Sequence, residues 1–200
     1  MTNDASSDAE LLLALRQQPE LIGVLYERHA PAVYRYLARR CQPATAEDLL
    51  SEVFVAALGA RKRVVAHASG SALPWLYGIA RNVLRGYLRR ARGRWSIGGD
   101  AGMDWDAVDA RLDAESQRVH LRRVLDALSA GERELLLLVA WDGLTPAEAA
   151  QVLGIPQATA RSRLHRARLR SQQLLDAPDG DPPAGLDTLT TLLRHEERSV

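Results

Sequence analysis

LTPAEAAQVLGIPQATARSRLHRARLR, residues 144–170, is the stretch that decides the fold of this chain. Thr145 is a favourable N-cap residue, a proline suits the first helical position after it, and Glu148 stands where a capping box needs it. Gly154 is well suited to end this helix because it accepts a left-handed conformation. Thr159 can cap the next helix. Two short helices joined by a tight turn that contains glycine predict a helix-turn-helix.

The second helix of this pair divides into faces when its residues are projected at about 100° each. Its core side holds Ala160, Leu164 and Ala167. The outer arc has groups suited to base edges, and the flanks have cations suited to phosphates. The outer arc holds Arg161, Ser162, His165 and Arg166, and the flanks hold Arg163, Arg168 and Arg170. A solvated basic face is the alternative, but the cap, the glycine turn and the small core residues favour DNA binding.

The composition is that of a helical protein with enough apolar residues for real cores. Hydrophobic residues make up 46% of the 200 residues, aromatics only 5%, and the formal net charge is +1. Abundant Ala, Leu and Arg favour helices over sheets. The polar N-terminus does not resemble a signal peptide, no apolar run reaches about eighteen residues, and the single Cys41 cannot form an internal disulfide. We expect a soluble intracellular protein without a membrane span.

Two helical blocks separated by a breaker-rich segment predict an all-α fold of two small helical domains joined by a flexible linker. The segment GRWSIGGDAGMDWD, residues 93–106, has four glycines and no sustained period, which is typical of a linker. The predicted organisation is an acidic N-terminal tail at 1–10, a first domain at 11–94, a linker at 95–111, a helix-turn-helix domain at 112–176 and a C-terminal tail at 177–200. That tail has room for one short helix in LDTLTTLLRHEE.

A second cluster of arginines lies in PWLYGIARNVLRGYLRRARGR, residues 74–94, which is predicted to form an amphipathic helix with a basic stripe. The apolar side holds Leu76, Ile79, Ala80, Val83 and Tyr87, and the stripe holds Gly78, Arg81, Asn82, Arg85 and Arg89. Such a stripe often means only solubility, but two of them in separate domains suggest two contacts with one long polyanion. Trp75 and Tyr77 are able to stack on unpaired bases; for Trp75 we favour a place in the core.

The segment ATAEDLLSEVFVAAL, residues 44–58, is predicted to form a helix with an acidic outer face. Its core side holds Leu49, Leu50, Val53, Phe54, Ala56 and Ala57, and its outer face holds Glu47, Asp48, Ser51, Glu52 and Val55. On composition alone a solvated face is the simpler interpretation. The alternative is a docking face for a basic protein surface, since an acidic face should avoid DNA.

Four segments in order resemble the extracytoplasmic-function sigma factors of bacteria, over roughly Leu21 to Leu175. They are LYERHAPAVYRYLARR, AEDLLSEVFVAA, PWLYGIARNVLRGYLRR and ERELLLLVAWDGLTPAEAAQVLGIPQATARSRLHRAR. Members of this family are dissociable subunits of bacterial RNA polymerase without catalytic activity, and their two helical domains recognise the minus-10 and minus-35 promoter elements. The chain departs from the family at Ser51, where glutamine is usual, and at Ala158, where glycine is frequent and would fit the turn more freely.

The resemblance implies a role for each segment. The family's docking surface for the clamp of the largest polymerase subunit corresponds to Asp48, Ser51, Glu52 and Val55. Its minus-10 surface corresponds to Arg81, Asn82, Arg85 and Arg89, with Asn82 as the candidate for a base-edge contact. Its minus-35 surface corresponds to Thr159, Arg161, Ser162, Arg163, His165 and Arg166. The linker, with Asp100, Asp104 and Asp106, corresponds to a segment that threads through the polymerase toward the active-site cleft.

The resemblance also implies partners and a setting. The implied partners are core RNA polymerase, bound at the clamp of its largest subunit and the flap of the second, promoter DNA, and an anti-sigma factor. The implied location is the cytoplasm, with no membrane insertion, and the implied task is transcription initiation in response to a stress or envelope signal.

Two other classes of protein compete with this interpretation. An enzyme has little support, because the five histidines are scattered without ligand spacing to Cys41 and no phosphate-binding glycine loop is present. We therefore expect no catalytic residue, metal or cofactor, and expect Cys41 to pack as a small hydrophobe. A stand-alone helix-turn-helix regulator is the stronger rival. It would need neither the acidic face nor the second basic stripe, and it would usually dimerise on a palindrome.

Overall fold

The computed structural model of the chain describes residues 6–64, 67–93 and 124–175, which fall into two compact units. Regular secondary structure within these ranges is entirely helical. The predicted all-α class with two helical domains is thereby confirmed. The predicted linker aspartates, Asp100, Asp104 and Asp106, and the predicted C-terminal helix lie outside the described residues.

The first unit is built from three long helices preceded by a short one. Its helices are α1 (Asp8–Ala14), α2 (Ile22–Ala38), α3 (Pro43–Ala60) and α4 (Leu73–Gly93), with 3-10 turns at Pro19–Leu21 and Arg61–Arg63. Helix α2 packs against α3 and α4, and α3 also packs against α4. Each helix buries one apolar face, since most of the stability of helices of this length comes from such packing.

Asp8 fastens α1 to α2 and to the start of α4. One of its carboxylate oxygens accepts a hydrogen bond from the backbone N–H of Ala72 at 2.9 Å and lies 2.8 Å from Nε2 of His29. The other oxygen lies 3.4 Å from Nη1 of Arg28. Burial opposes ionisation, but the hydrogen bond from Ala72 and the interactions with His29 and Arg28 outweigh it, so the pKa of Asp8 is lowered. The predicted acidic tail at 1–10 is therefore too long, because Asp8 already belongs to the folded unit.

Two tyrosines and an arginine stack where α2 meets α4. The rings of Tyr36 and Tyr77 lie 5.0 Å apart at an interplanar angle of 24°, and the guanidinium of buried Arg40 lies 3.7 Å from the Tyr36 ring centroid. A cation over an aromatic face keeps a favourable partner when buried. Tyr77 is thus a core residue and is not available to stack on a base. Trp75, which we predicted in the core, is only half-buried; it lies two residues before buried Tyr77 and therefore on a different side of the helix.

In the described part of the second unit, three helices each pack against the other two. They are α5 (Ala130–Ala140), α6 (Pro146–Leu153) and α7 (Gln157–Leu175), and residues 124–126 before them are also helical. The capping box predicted at Thr145 is confirmed: its hydroxyl accepts a hydrogen bond from the N–H of Glu148 at 3.2 Å. The predicted core side of α7 is also confirmed, since Ala160, Leu164 and Ala167 are buried.

Gly154 closes the turn between α6 and α7 in the left-handed conformation, with φ 67° and ψ 36°, as predicted. Its N–H donates to the carbonyl of Gln151 at 3.1 Å, and the N–H of Ile155 donates to the carbonyl of Ala150 at 3.0 Å. These two bonds form a Schellman motif, which satisfies the last carbonyls of α6. The turn therefore fixes how α7 leaves α6.

Helix α7 begins at Gln157, two residues before the predicted cap. The N–H of Ala160 donates to the carbonyl of Pro156 at 3.0 Å, so helical hydrogen bonding already starts at the proline. The predicted N-cap role of Thr159 is therefore wrong. The departure from the family at Ala158 lies on the helix, where alanine is the most favourable residue, and does not strain the turn.

Gly154→Ala is expected to lower the free energy of unfolding by about 1–2 kcal/mol. A Cβ at this position meets no atom within 4 Å, so the cost comes from the left-handed backbone alone. Gly154→Asn is the matched control, because asparagine tolerates this conformation better than alanine. Denaturant unfolding of the three proteins measures the difference, and equal losses for alanine and asparagine would contradict the backbone explanation.

Asp8→Asn is expected to destabilise the protein by about 1–3 kcal/mol at neutral pH, since buried partners lose a charged acceptor. The folded-state pKa of Asp8 lies below its ordinary value of 3.8. The contribution of this carboxylate is therefore complete above that value and is lost as pH falls through the lowered pKa. When the free energy of unfolding is measured from about pH 7 to about pH 2, the values for wild type and variant should converge at the acid end. A difference between them that stays constant at every pH would contradict the assignment.

Candidate nucleic-acid and protein interfaces

The outer side of α7 presents the six residues predicted to contact minus-35 DNA. Four of them, Arg161, Ser162, His165 and Arg166, are exposed, and Thr159 and Arg163 are half-buried. All six lie within the first three turns of one helix that contains five arginines and no acidic residue. The structure therefore brings them together on one positively charged surface.

Glu132 of α5 holds one flank of this surface. Its Oε1 lies 3.9 Å from Nε of Arg166, and its Oε2 lies 3.6 Å from Nη1 of Arg170. Arg170 also donates to the carbonyl of Ala127 at 3.3 Å. A hydrogen bond from the Ser129 hydroxyl lowers the pKa of Glu132 against the opposing effect of burial, and the two arginines lower it further. Glu132 was not among the predicted site residues, although the Ser-x-x-Glu spacing at the start of α5 is the signal of a capping box.

The opposite flank of α7 is less constrained. Among the described residues, Arg161 and His165 make no ion pair, and both are exposed. The Ser162 hydroxyl between them donates to the carbonyl of Thr159 at 3.1 Å. This flank therefore offers a guanidinium and an imidazole free to move onto a ligand.

The basic stripe of α4 is exposed at Asn82, Arg85 and Arg89 and half-buried at Arg81. The buried side of α4 is turned somewhat from the predicted one: it holds Leu76, Tyr77, Ala80 and Leu84, whereas Ile79, Val83 and Tyr87 are half-buried. Trp75 lies seven residues before Asn82 and so shares its side of the helix. The helical projection of the sequence already places Trp75 on the side of Asn82, but we predicted a core position for Trp75 instead.

The acidic face of α3 is exposed at all four residues predicted to bind the polymerase, Asp48, Ser51, Glu52 and Val55. The opposite side buries Ala46, Leu49, Val53, Phe54 and Ala57, while Leu50 and Ala56, predicted on the core side, are half-buried. Val55 is 71% exposed, more than the other exposed large apolar side chains of the described residues, Leu13, Tyr26 and Leu169. The outer face of α3 therefore presents carboxylates and one exposed valine.

Two further exposed residues border this face. Tyr26 of α2 is 44% exposed and packs the edge of its ring against Phe54, with ring centroids 4.8 Å apart. Glu52 lies 3.9 Å from Nη2 of Arg90 on α4, and both side chains are more than half exposed. An ion pair this exposed contributes little to stability, so both charges stay available to other partners. Tyr26 and Arg90 were not predicted to border this face, because their positions depend on contacts between helices.

Other chemistry-bearing residues of the described ranges have structural partners. Cys41 is buried and its Sγ donates to the carbonyl of Leu37 at 3.3 Å, which confirms that it packs as a small hydrophobe. His67 contacts the hydroxyl of Ser69 at 2.8 Å. In the part of the chain that the structure describes, no group of residues could hold a metal ion, and no helix is both long and apolar enough to cross a membrane.

Comparison with known proteins places both helical units in described families. Residues 25–94 match sigma-70 region 2, and residues 118–170 match sigma-70, region 4. The first match includes most of α2 and all of α3 and α4, and the second includes α6 and most of α7. Each matched region therefore contains one of the candidate DNA surfaces.

Whole proteins are similar over most of the chain. The probable RNA polymerase sigma-C factor of Mycobacterium bovis is 33% identical over 187 residues, covering 90% of this chain and 98% of that protein. The ECF RNA polymerase sigma factor SigL of Mycobacterium tuberculosis is 30% identical over 168 residues, covering 80% and 94%. The sigma factor RpoE of Bartonella quintana, solved with the anti-sigma factor NepR, shares the fold with a TM-score of 0.53 and 24% identity, covering 78% of this chain and 97% of that one.

Proposed function

The chain belongs to the extracytoplasmic-function sigma factors of bacterial RNA polymerase, and we propose that three of its helix faces divide the work of promoter selection. The acidic face of α3 binds the polymerase, the basic stripe of α4 binds the minus-10 element and the outer side of α7 binds the minus-35 element. The observation that carries this division is that each face is exposed directly opposite a buried apolar side. As a sigma factor the chain selects the start site and leaves bond formation to the polymerase, so it needs no catalytic group.

The acidic face of α3 suits a basic protein surface better than it suits nucleic acid. Asp48 and Glu52 lie one turn apart, and the exposed apolar side chain of Val55 continues the same row. Opposite charges across an interface steer association, and a desolvated apolar residue adds affinity. This surface is the one we assign to the clamp of the largest polymerase subunit.

The stripe of α4 combines groups that phosphates and unpaired bases need. Arg85 and Arg89 are exposed cations for the DNA backbone, and Asn82 presents an amide that can pair with a base edge. Trp75, half-buried two turns earlier, offers a ring face on which a base can stack. We assign the minus-10 element to this side of α4, together with Arg81.

The outer side of α7 suits the major groove. In a helix-turn-helix the first residues of the second helix contact base edges, and later residues approach the backbone. Arg161, Ser162 and His165 lie in the first turns, whereas Arg168 lies about two turns after Arg161. We therefore assign base reading to the N-terminal half of α7 and phosphate contacts to the arginines that follow.

Further partners follow from this proposal. RpoE of Bartonella quintana was solved with an anti-sigma factor, and we assign to this chain a partner of that kind, which masks its surfaces until a stress or envelope signal releases it. We also assign the helix-turn-helix unit to the flap of the second polymerase subunit, and the cytoplasm as the place of action, because the polymerase works there. The proposed functional bounds are 8–94 for the first domain, 95–111 for the linker and 112–176 for the second.

The decisive experiment combines the protein with core RNA polymerase and a genomic DNA library and maps the transcript starts. Defined starts that depend on the protein, each preceded by shared minus-10 and minus-35 sequences, are the expected result. A stand-alone helix-turn-helix regulator would instead bind a specific DNA site tightly without polymerase. Specific binding by the isolated protein that core polymerase does not improve would overturn the proposal.

Asp48→Lys combined with Glu52→Lys is expected to weaken binding to core polymerase by about tenfold or more, because two attractive charges become repulsive. The fold should be retained, since exposed charges contribute little to stability. The control is Glu20→Lys combined with Glu27→Lys, which makes the same charge change at exposed positions outside α3. Binding is measured by fluorescence anisotropy of labelled protein; equal affinities of the two double variants would rule out docking through α3.

Arg161→Ala is expected to cost about 1–3 kcal/mol on the preferred minus-35 sequence and to relax the preference at one or two bases. Arg168→Ala is expected to weaken binding to all DNA sequences alike and to reduce the salt dependence of binding by about one ion. The measurement is transcription by each variant holoenzyme from a set of promoters with single-base changes in the minus-35 element. An unchanged preference profile for Arg161→Ala removes this arginine from the residues that read bases.

A further inference from the structure

The two arginines that meet Glu132 belong to the helix assigned to the minus-35 element, while the glutamate itself is fixed by its own helix. Oε2 of Glu132 accepts hydrogen bonds from the N–H and the hydroxyl of Ser129, at 3.0 and 2.7 Å. Only 10% of the Glu132 side chain is exposed, against 65% of Arg166 and 54% of Arg170. The carboxylate is therefore a fixed point, and the two guanidinium groups are the mobile partners.

A third arginine lies along the same flank. Nη1 of Arg163 is 3.3 Å from the position that a Cβ on Gly131 would take, so its side chain lies above the first turn of α5. Arg163, Arg166 and Arg170 follow one another at helical spacing. Three neighbouring cations repel one another, and Glu132 is the carboxylate that lies among them in the described part of the chain.

This arrangement affects which DNA contacts are favourable. A phosphate that approaches Arg166 or Arg170 must compete with Glu132, and its attraction is the same for every DNA sequence. Arg166, when Glu132 draws it toward one orientation, loses less side-chain freedom on reaching a base edge that matches that orientation. The pairing therefore opposes sequence-independent binding more strongly than it opposes binding to the correct sequence.

We propose that Glu132 is a positioning residue that orients Arg166 and Arg170 and thereby sharpens the minus-35 preference of the holoenzyme. This inference rests on the proposed assignment of α7 to the minus-35 element. It also goes beyond the capping role of Glu132, because a glutamine can serve at the same position of a capping box but cannot attract the two arginines by charge.

The test is Glu132→Gln in holoenzyme, measured by binding to two DNA duplexes. One duplex carries the minus-35 sequence found upstream of the mapped starts, and the other carries the same bases in scrambled order. Glu132→Gln is expected to bind the scrambled duplex about threefold to tenfold more tightly, with a salt dependence steeper by about one ion. Binding to the preferred duplex should change less, so the ratio between the two should fall by about the same factor.

Two controls separate positioning from folding. Ser129→Ala removes the capping hydroxyl but keeps the charge of Glu132 and its hydrogen bond from the backbone N–H of residue 129, so it should lower the melting temperature and preserve the discrimination ratio. In a background with Arg166→Ala and Arg170→Ala, Glu132→Gln should no longer change that ratio, because its partners are absent. If Glu132→Gln does not fold, Glu132→Asp replaces it: the shorter carboxylate should lose both pairs and reduce the ratio without changing the salt dependence.

The inference is overturned if Glu132→Gln weakens binding to both duplexes equally or leaves the ratio of the two affinities unchanged. Where Glu132→Asp is used in place of Glu132→Gln, a folded variant with an unchanged discrimination ratio also overturns the inference. Failure of the proposed function has a different signature: wild-type holoenzyme would then bind the preferred and scrambled duplexes equally well, whatever residue stands at 132.

Discussion

Each helix of this protein must bury one apolar face, and the rest of the structure depends on that constraint. Helices of seven to twenty-one residues are marginal in water when isolated. Packing several of them together in each unit stabilises them and leaves each with a second face that the fold does not use. In α3, α4 and α7 that second face has a distinct character: acidic with one exposed valine, basic with an amide, and basic with a serine and a histidine. The surfaces assigned to polymerase and promoter are what core formation leaves free.

A few carboxylates connect these helices and also act on their surroundings. Asp8 joins three helices at once, through the N–H of Ala72 and the side chains of Arg28 and His29 on α2. Glu132 satisfies the first turn of α5 and also meets two arginines of α7. In both cases hydrogen bonding fixes the carboxylate, and a fixed negative charge orients neighbouring cations better than a mobile one does. The same local device that starts a helix therefore shapes the charge on a neighbouring one.

Most of the fold and the exposure of the candidate surfaces follow from sequence periodicity and helix-end signals. The core side of α7, the capping box at Thr145 and the left-handed Gly154 were predictable because each depends on residues a few positions apart. The role of Asp8 was not predictable, because it is decided by a partner 64 residues along the chain, Ala72. Glu132 had a local capping-box signal, but its contacts with Arg166 and Arg170 depend on how α5 and α7 pack. The roles of the individual surface residues stay predictions, since exposure shows that a side chain can meet a partner and leaves open which partner it meets.

The segregation of charge onto separate helices has a practical consequence for handling the protein. The formal net charge of +1 provides almost no repulsion between copies, which at low salt favours association. The acidic face of α3 and the arginines of α7 have opposite signs, so two molecules can attract each other although their net charges do not. At physiological ionic strength charges more than about 8 Å apart are largely screened. The tendency of the protein to self-associate should therefore depend more on the ionic strength of the buffer than on the difference between the buffer pH and the isoelectric point.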